Sequence, residues 1–208
     1  MLSATTSFSW NKEDWAPLTE MADGFDEYLP DLSRALDGRE IVLDARYVDS
    51  GNSFTLSQKF SSSAVEWAVI ENGTETAHGS DSYELFEMQP GLFYLHYLRA
   101  GEDHPVALSA AIDTVSGQVT GAVGELGLDP NPAAARQSWF QGQIAGSGAV
   151  PEAAHIATDE LIGRRVRYAY SSEDVYDHVY LNENIFTWLC VGGTELGVGD
   201  TEHCTYYK

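Results

Sequence analysis

From Arg39 onward, apolar side chains recur at every second position. Ile41, Leu43, Ala45 and Tyr47 alternate with Val42, Asp44 and Arg46. Phe54, Leu56, Gln58 and Phe60 alternate with Thr55, Ser57 and Lys59. Successive strand residues point to opposite faces, so a period of two marks half-buried strands. The pattern continues through Val65–Glu71, Tyr83–Met88, Leu92–Arg99, Val106–Thr114 and Gln118–Val123, separated by the turn clusters SGNS, ENGTE, QPG, AGEDHP and VSG. Asn72-Gly73 lies between two such runs and predicts a type I′ hairpin, whose two central residues need positive φ. About seven short strands at this spacing predict an antiparallel barrel or sandwich.

Upstream, the period changes. Leu18, Met21, Ala22 and Phe25 recur at spacings of three and four, and Leu29, Leu32 and Leu36 extend the row past Pro30. This predicts one or two short helices, broken near Gly24 and Pro30. Residues 126–159 are rich in Gly, Pro and Ala and read as a connection over the surface, with Trp139, Phe140 and Ile144 packing part of it down.

A second β pattern then begins: Arg164–Ser171, Val175–Asn182, Ile185–Val191 and Glu202–Tyr207. It repeats three anchors of the first. Leu36, Gly38 and Arg39 correspond to Leu161, Gly163 and Arg164. Trp67 corresponds to Trp188, and Gly73-Thr74-Glu75 to Gly193-Thr194-Glu195. The expected organisation is an N-terminal helical or irregular segment (1–35), a first β module (36–125), the connection (126–159) and a second module (160–208). The fold class is mainly β, with two antiparallel modules in tandem. The second has only four strands, too few to close a barrel, and an open edge invites pairing. The expectation is a chain shortened relative to its relatives, its open side completed by the first module, by the N-terminal segment, or by a second copy in a homo-oligomer.

Composition narrows the partners. The 208 residues carry 32 acidic and 11 basic side chains, a formal net charge of −21. With no basic stripe to neutralise phosphates, nucleic acid is not an expected partner. The N-terminus lacks the basic and apolar regions of an export signal, and no window is apolar enough to span a bilayer, so a cytoplasmic protein without membrane contact is expected. Two cysteines make no disulfide framework. There is no phosphate-binding GxxxxGK[ST] loop, no HExxH and no CxxC. The six histidines are scattered without ligand spacing, so neither a metal nor a cofactor is expected.

The residues left to carry chemistry lie in the second module. His178 and Tyr180 are two apart on one strand. Trp188 is on the next, and Glu202 and Tyr206 are on the last. Tyr168 belongs to the first strand of this module. If these faces point inward, an imidazole, a carboxylate, phenols and an indole line a pocket suited to a small apolar or aromatic molecule with a few polar handles. A carboxylate and an imidazole there could exchange protons with a ligand. Aromatic residues at period two also build plain cores, and His178 beside Asp177 also reads as a surface pair; these alternatives stay open.

The stretch ELIGRRVRYAYSSEDVYDHVYLNENIFTWLCVGGTELG, followed by DTEHCTYYK, resembles the C-terminal domain of the MoaF family, labelled molybdenum cofactor biosynthesis protein F. The specific parts are HVYLN at 178–182, TW at 187–188 and DTE at 200–202. Residues 10–126 are compatible with that family's N-terminal domain through weaker motifs. The resemblance implies two calycin-like (lipocalin-like) barrel domains in tandem, and members that continue past the final YYK. Nothing in the chain looks like machinery for molybdopterin synthesis. The expected function is binding of a small apolar or aromatic metabolite by a cofactor-independent lyase or isomerase. His178, Tyr180 and Glu202 would be its catalytic groups, and Trp188, Tyr206 and Tyr168 its ligand-binding groups. The alternatives are a non-catalytic carrier and a regulatory or interaction protein.

Overall fold

A computed structural model describes residues 25–101, 104–126, 135–147 and 155–208. All regular structure among them is β. The strands are β1 (Glu40–Tyr47), β2 (Ser53–Phe60), β3 (Val65–Glu71), β4 (Thr74–Asp81), β5 (Tyr83–Gln89), β6 (Leu92–Arg99), β7 (Val106–Asp113), β8 (Gln118–Leu126) and β9 (Ala135–Ile144). After these come β10 (Arg165–Ala169), β11 (Val175–Asn182), β12 (Ile185–Gly192) and β13 (Gly199–His203). They form two antiparallel sheets, ordered β4-β3-β2-β1-β9-β8-β7-β6-β5 and β10-β11-β12-β13. The chain divides into two compact units. Of the described residues, one contains those within 30–155; the other contains residues 25–29 and the second sheet.

The nine-stranded sheet curls so that β4 approaches β6. Its edge strands β4 and β5 are consecutive in the chain, separated by Ser82 alone. The inward positions bury Leu43, Leu56, Phe60, Val65, Leu85, Leu95, Leu108, Ile112 and Phe140 in one core. Asn72 and Gly73 both take positive φ, 51° and 76°, which makes the tight β3–β4 hairpin.

Three expectations need correction. Residues 135–144, read from composition as part of a surface connection, form β9 in the middle of the sheet, between β1 and β8. Small residues are needed there: a Cβ on Gly142 would lie 2.7 Å from the Asp44 carbonyl oxygen and 2.8 Å from the Ala45 Cβ. Residues 25–28 and 35–38 form turns and 29–34 carry no regular structure, in place of the expected helix. Pro30 interrupts the backbone hydrogen-bonding a helix would need, and the remainder of the helical stretch lies outside the described residues. The fourth strand of the second sheet is Gly199–His203, not Glu202–Tyr207. A loop at 193–198 consumes the extra residues: the Cys190 amide donates to the Val198 carbonyl and the Gly197 amide to that of Cys190. The chain end instead pairs with residues 156–158, through the Thr158 amide to the Tyr206 carbonyl and reciprocal bonds between Ile156 and Lys208.

The two sheets share a register. Trp67 faces Gln58 across β2–β3, and Trp188 faces His178 across β11–β12. Gly38 and Gly163, with φ of 74° and 78°, donate their amides to the carbonyls of Phe60 and Tyr180. Those two residues return a bond to the carbonyls of Arg39 and Arg164. In each sheet the Trp indole donates to a carboxylate fourteen residues on: Trp67 to Asp81 at 2.7 Å, and Trp188 to Glu202 at 2.8 Å.

Candidate functional site on the second sheet

Pairing register decides which side chains meet. Val166 and His178 are cross-strand partners, as are Tyr168 and Tyr176. His178 opposes Trp188, Tyr180 opposes Phe186, and Tyr176 opposes Cys190. Phe186 opposes Glu202, and Trp188 opposes Asp200. Directly opposed residues share a face. The face therefore carries Tyr168, Tyr176, His178, Tyr180, Phe186, Trp188 and Glu202.

The rings form a continuous layer. The imidazole of His178 lies 4.6 Å from the Tyr168 ring and 5.0 Å from the Phe186 ring, centroid to centroid. Tyr180 lies 6.0 Å from Phe186 and meets Tyr206 edge-on at 5.4 Å. Tyr176 lies 5.6 Å from Trp188. At the far end Phe25 stacks on Tyr170 at 5.0 Å. Tyr206 is buried although it lies beyond β13; its hydroxyl donates to the Asn182 carbonyl at 3.2 Å.

The polar atoms on this face are few and placed. The hydroxyls of Tyr168 and Tyr180 share a hydrogen bond of 2.7 Å. Burial, followed by that bond, raises the Tyr180 pKa well above the usual phenol value. Burial and the Cys204 thiol beside it push Tyr206 up to about 12. Desolvation lowers the pKa of His178, against the pull of the Glu202 and Asp177 charges, so its imidazole is neutral near pH 7. Among the described residues neither ring nitrogen of His178 has a hydrogen-bond partner, while rings surround it. Glu202 is exposed, and one of its oxygens takes the Trp188 N–H. Beside Trp188, the buried Tyr176 hydroxyl donates 2.8 Å to the buried Glu195 carboxylate. Burial is the larger cause, and that bond the second, of a strong upward shift at Tyr176.

Asp177 does not pair with His178. Consecutive strand residues point apart, and Asp177 lies on the opposite face, held by Arg165 and by Arg167 at 2.8 and 3.0 Å. Those bonds hold its carboxyl far below the usual range. Of the residues picked from sequence, Tyr168, His178, Tyr180, Trp188 and Glu202 share one face, and Tyr206 closes one end. Tyr176 and Phe186 were not picked, although they have the parity of His178 and Trp188. Glu195 sits in the loop after β12 and follows no strand pattern.

The equivalent positions of the first sheet explain what is distinctive. Matching registers place Leu43 where Tyr168 stands, Leu56 where Tyr176 stands and Phe60 where Tyr180 stands. Likewise Val65 matches Phe186, and Gln58 matches His178. The first sheet fills these positions with Leu, Val and Phe around Gln58. The second fills them with three tyrosines, a phenylalanine and an imidazole. Among the described residues no group of three or more His, Cys, Asp or Glu is arranged to hold a metal ion. Nor is any helix there long and apolar enough to cross a membrane.

Comparison with known proteins gives three matches. The MoaF N-terminal domain matches residues 13–128, and the MoaF C-terminal domain matches residues 155–208. The Protein MoaF of Klebsiella aerogenes is 45% identical over 51 residues, a stretch covering 24% of this chain and 20% of that protein.

Proposed function

The chain belongs to the MoaF family, and we propose that in this member the aromatic face of the second sheet binds a small apolar or aromatic metabolite. His178 serves there as a proton acceptor in cofactor-independent lyase or isomerase chemistry. One observation carries this: a desolvated, neutral imidazole lies among aromatic rings with both nitrogens uncommitted, where the first sheet has Gln58 in a closed core. Rings on three sides supply dispersion and stacking contacts for a planar ligand. The neutral imidazole can take a proton from a bound acid, and the paired hydroxyls of Tyr168 and Tyr180 can hydrogen-bond an oxygen of the ligand. Glu202 would stabilise the imidazolium that forms.

The second reading is a carrier. It is favoured by Glu202, which is exposed and bonded to Trp188 instead of being poised against His178. Titrating the full chain with small phenols and aryl ketones tests the site, with the indole signal of Trp188 and the ring signals of Phe186 followed by NMR. Saturable shifts on β11 and β12, weakened by Trp188→Ala in a folded protein, are expected. Shifts confined to other strands overturn the assignment. Catalysis is separated from carriage by incubating each bound compound in D2O: exchange or product lost in His178→Gln supports the enzyme, and binding without either supports the carrier.

A further inference from the structure

The outer face of the first sheet carries a polar hollow, away from the buried core. Leu43 and Ala45 point inward from β1, so Asp44 and Arg46 point outward, and both are exposed. Across the ladder Asp44 opposes Thr55, which in turn opposes Ile70. Arg46 opposes Ser53 on one side and Gln141 on the other. These six side chains share one face and all line a hollow of about 520 Å³. Asp44 and Arg46 are its only charged lining residues.

The two charges are opposite, adjacent and unpaired. They stand two residues apart on one strand, about 7 Å. Asp44 Oδ1 takes the Thr55 hydroxyl at 3.2 Å. Neither residue forms an ion pair among the described residues, although the chain holds 32 acidic and 11 basic side chains. Gln141 is tied back through its amide N–H to the His155 carbonyl. Ser53 and Thr55 are short, so the floor over β2 is low, and the half-buried Ile70 stands on its far side as an apolar wall. Strand pairing does not require this polar set. Where the first sheet has Asp44 opposite Thr55, the second has Ala169 opposite Val175.

We propose that Asp44 and Arg46 bind a free α-amino acid with an aliphatic side chain. Such a molecule carries an ammonium and a carboxylate on one carbon, matching the two side chains in sign and in closeness. The ammonium donates to the Asp44 carboxylate, and the carboxylate takes the Arg46 guanidinium in the forked pairing that group favours. The side chain of the ligand then lies over Thr55 and meets Ile70. β1 and β3 are roughly 10 Å apart, two strand spacings, which a leucine spans with van der Waals contact at its far end. Both charges sit on one rigid strand, so little ordering is needed on binding. This site is independent of the reading given to the second sheet.

Calorimetric and NMR titration of the full chain with L-leucine, L-leucinamide and N-acetyl-L-leucine tests it. Leucinamide lacks the carboxylate, and N-acetylleucine lacks the ammonium. Saturable binding of leucine is expected, roughly tenfold tighter than either analogue, because each loses a charge-assisted bond. Amide signals around Asp44, Thr55 and Ile70 should shift. Arg46→Gln should erase the preference over leucinamide, and Asp44→Asn the preference over N-acetylleucine. Both side chains are exposed, and amide dispersion checks that each variant is folded. If one is not, the comparison of the three compounds on the unaltered chain decides by itself. Four outcomes overturn the proposal: no saturable binding of leucine, equal binding of the three compounds, shifts confined to β10–β13, or preferences that survive in the folded variants. The first would mean that the two charges are simply solvated.

Discussion

Tyr176→Phe isolates one buried hydrogen bond of the candidate face. The substitution keeps the ring, and so its contacts with Trp188 and Tyr170 at 5.6 and 5.5 Å. It removes only the hydroxyl that donates 2.8 Å to Glu195. Both residues are about 5% exposed. What is lost is therefore not the modest net value of a surface bond but the satisfaction of a buried acceptor, about 1–3 kcal/mol. Glu195 lies in a loop opened by Gly193 at φ 101° and can relax partly toward water, so about 2 kcal/mol is expected. That corresponds to roughly a thirtyfold shift in a local opening equilibrium. Native-state hydrogen exchange reads it directly: amides of β11 and β12 should exchange faster by that factor, and amides of β1 and β2 should not change. In a Glu195→Leu background the same substitution should cost less than about 0.5 kcal/mol, because no acceptor remains to be stranded. An equal cost in both backgrounds, or equal acceleration in both sheets, refutes the account.

The pH dependence of the second sheet should follow His178. Its folded pKa is depressed, so the unfolded chain binds the proton first as pH falls; stability is complete above the unfolded value near 6.5, declines as pH drops through it, and levels off below the folded value. His178→Phe should flatten the change in melting temperature between about pH 7.5 and 5.5, and an unchanged slope would place the titration elsewhere. Gly142→Ala should destabilise the nine-stranded sheet by about 1–3 kcal/mol in urea unfolding, because the added methyl meets the backbone of β1. Gly124→Ala, which meets nothing within 4 Å, is its control.

The elements that could be read from the sequence are those whose period survives burial on one face. β1, β2, β3, β6 and β7 alternate cleanly, and Asn72-Gly73 has one favoured backbone shape. β4, an edge strand reading TETAHGSD, has almost no apolar side chains to alternate. β9 was hidden by its setting: Gly, Ala and Gln look like loop residues, yet a glycine is what a close approach to β1 requires. In the second sheet, parity alone put His178 and Tyr180 on one face, and pairing brought Trp188 opposite. The length of the 193–198 loop set the phase of Glu202, and no local pattern encodes it. Glu195 and Gln58 became visible only in three dimensions, because an unmet or buried polar atom is a property of surroundings, not of residue type.

The two sheets together separate packing from function better than either alone. Both take the same strand entrance, with a positive-φ glycine bonded to the end of the second strand, and both tie a third-strand Trp to a carboxylate on the fourth. Those shared features need only a structural explanation, since both copies have them and they hold strands in register. The differences are what a structural explanation leaves over. An aliphatic core is sufficient to stabilise this arrangement, as Leu43, Leu56 and Val65 show. Tyr168 and Tyr176, where the first sheet has Leu43 and Leu56, and Tyr180, where it has Phe60, bring hydroxyls whose desolvation opposes folding unless they are paired. Tyr168 and Tyr180 meet that demand with each other, and Tyr176 meets it with Glu195. His178 does not meet it with any described residue, and its lowered pKa records the cost of charging it there. A group that folding could have replaced with a methyl or an amide, and that is left unpaired among rings, is where a ligand is expected to bind.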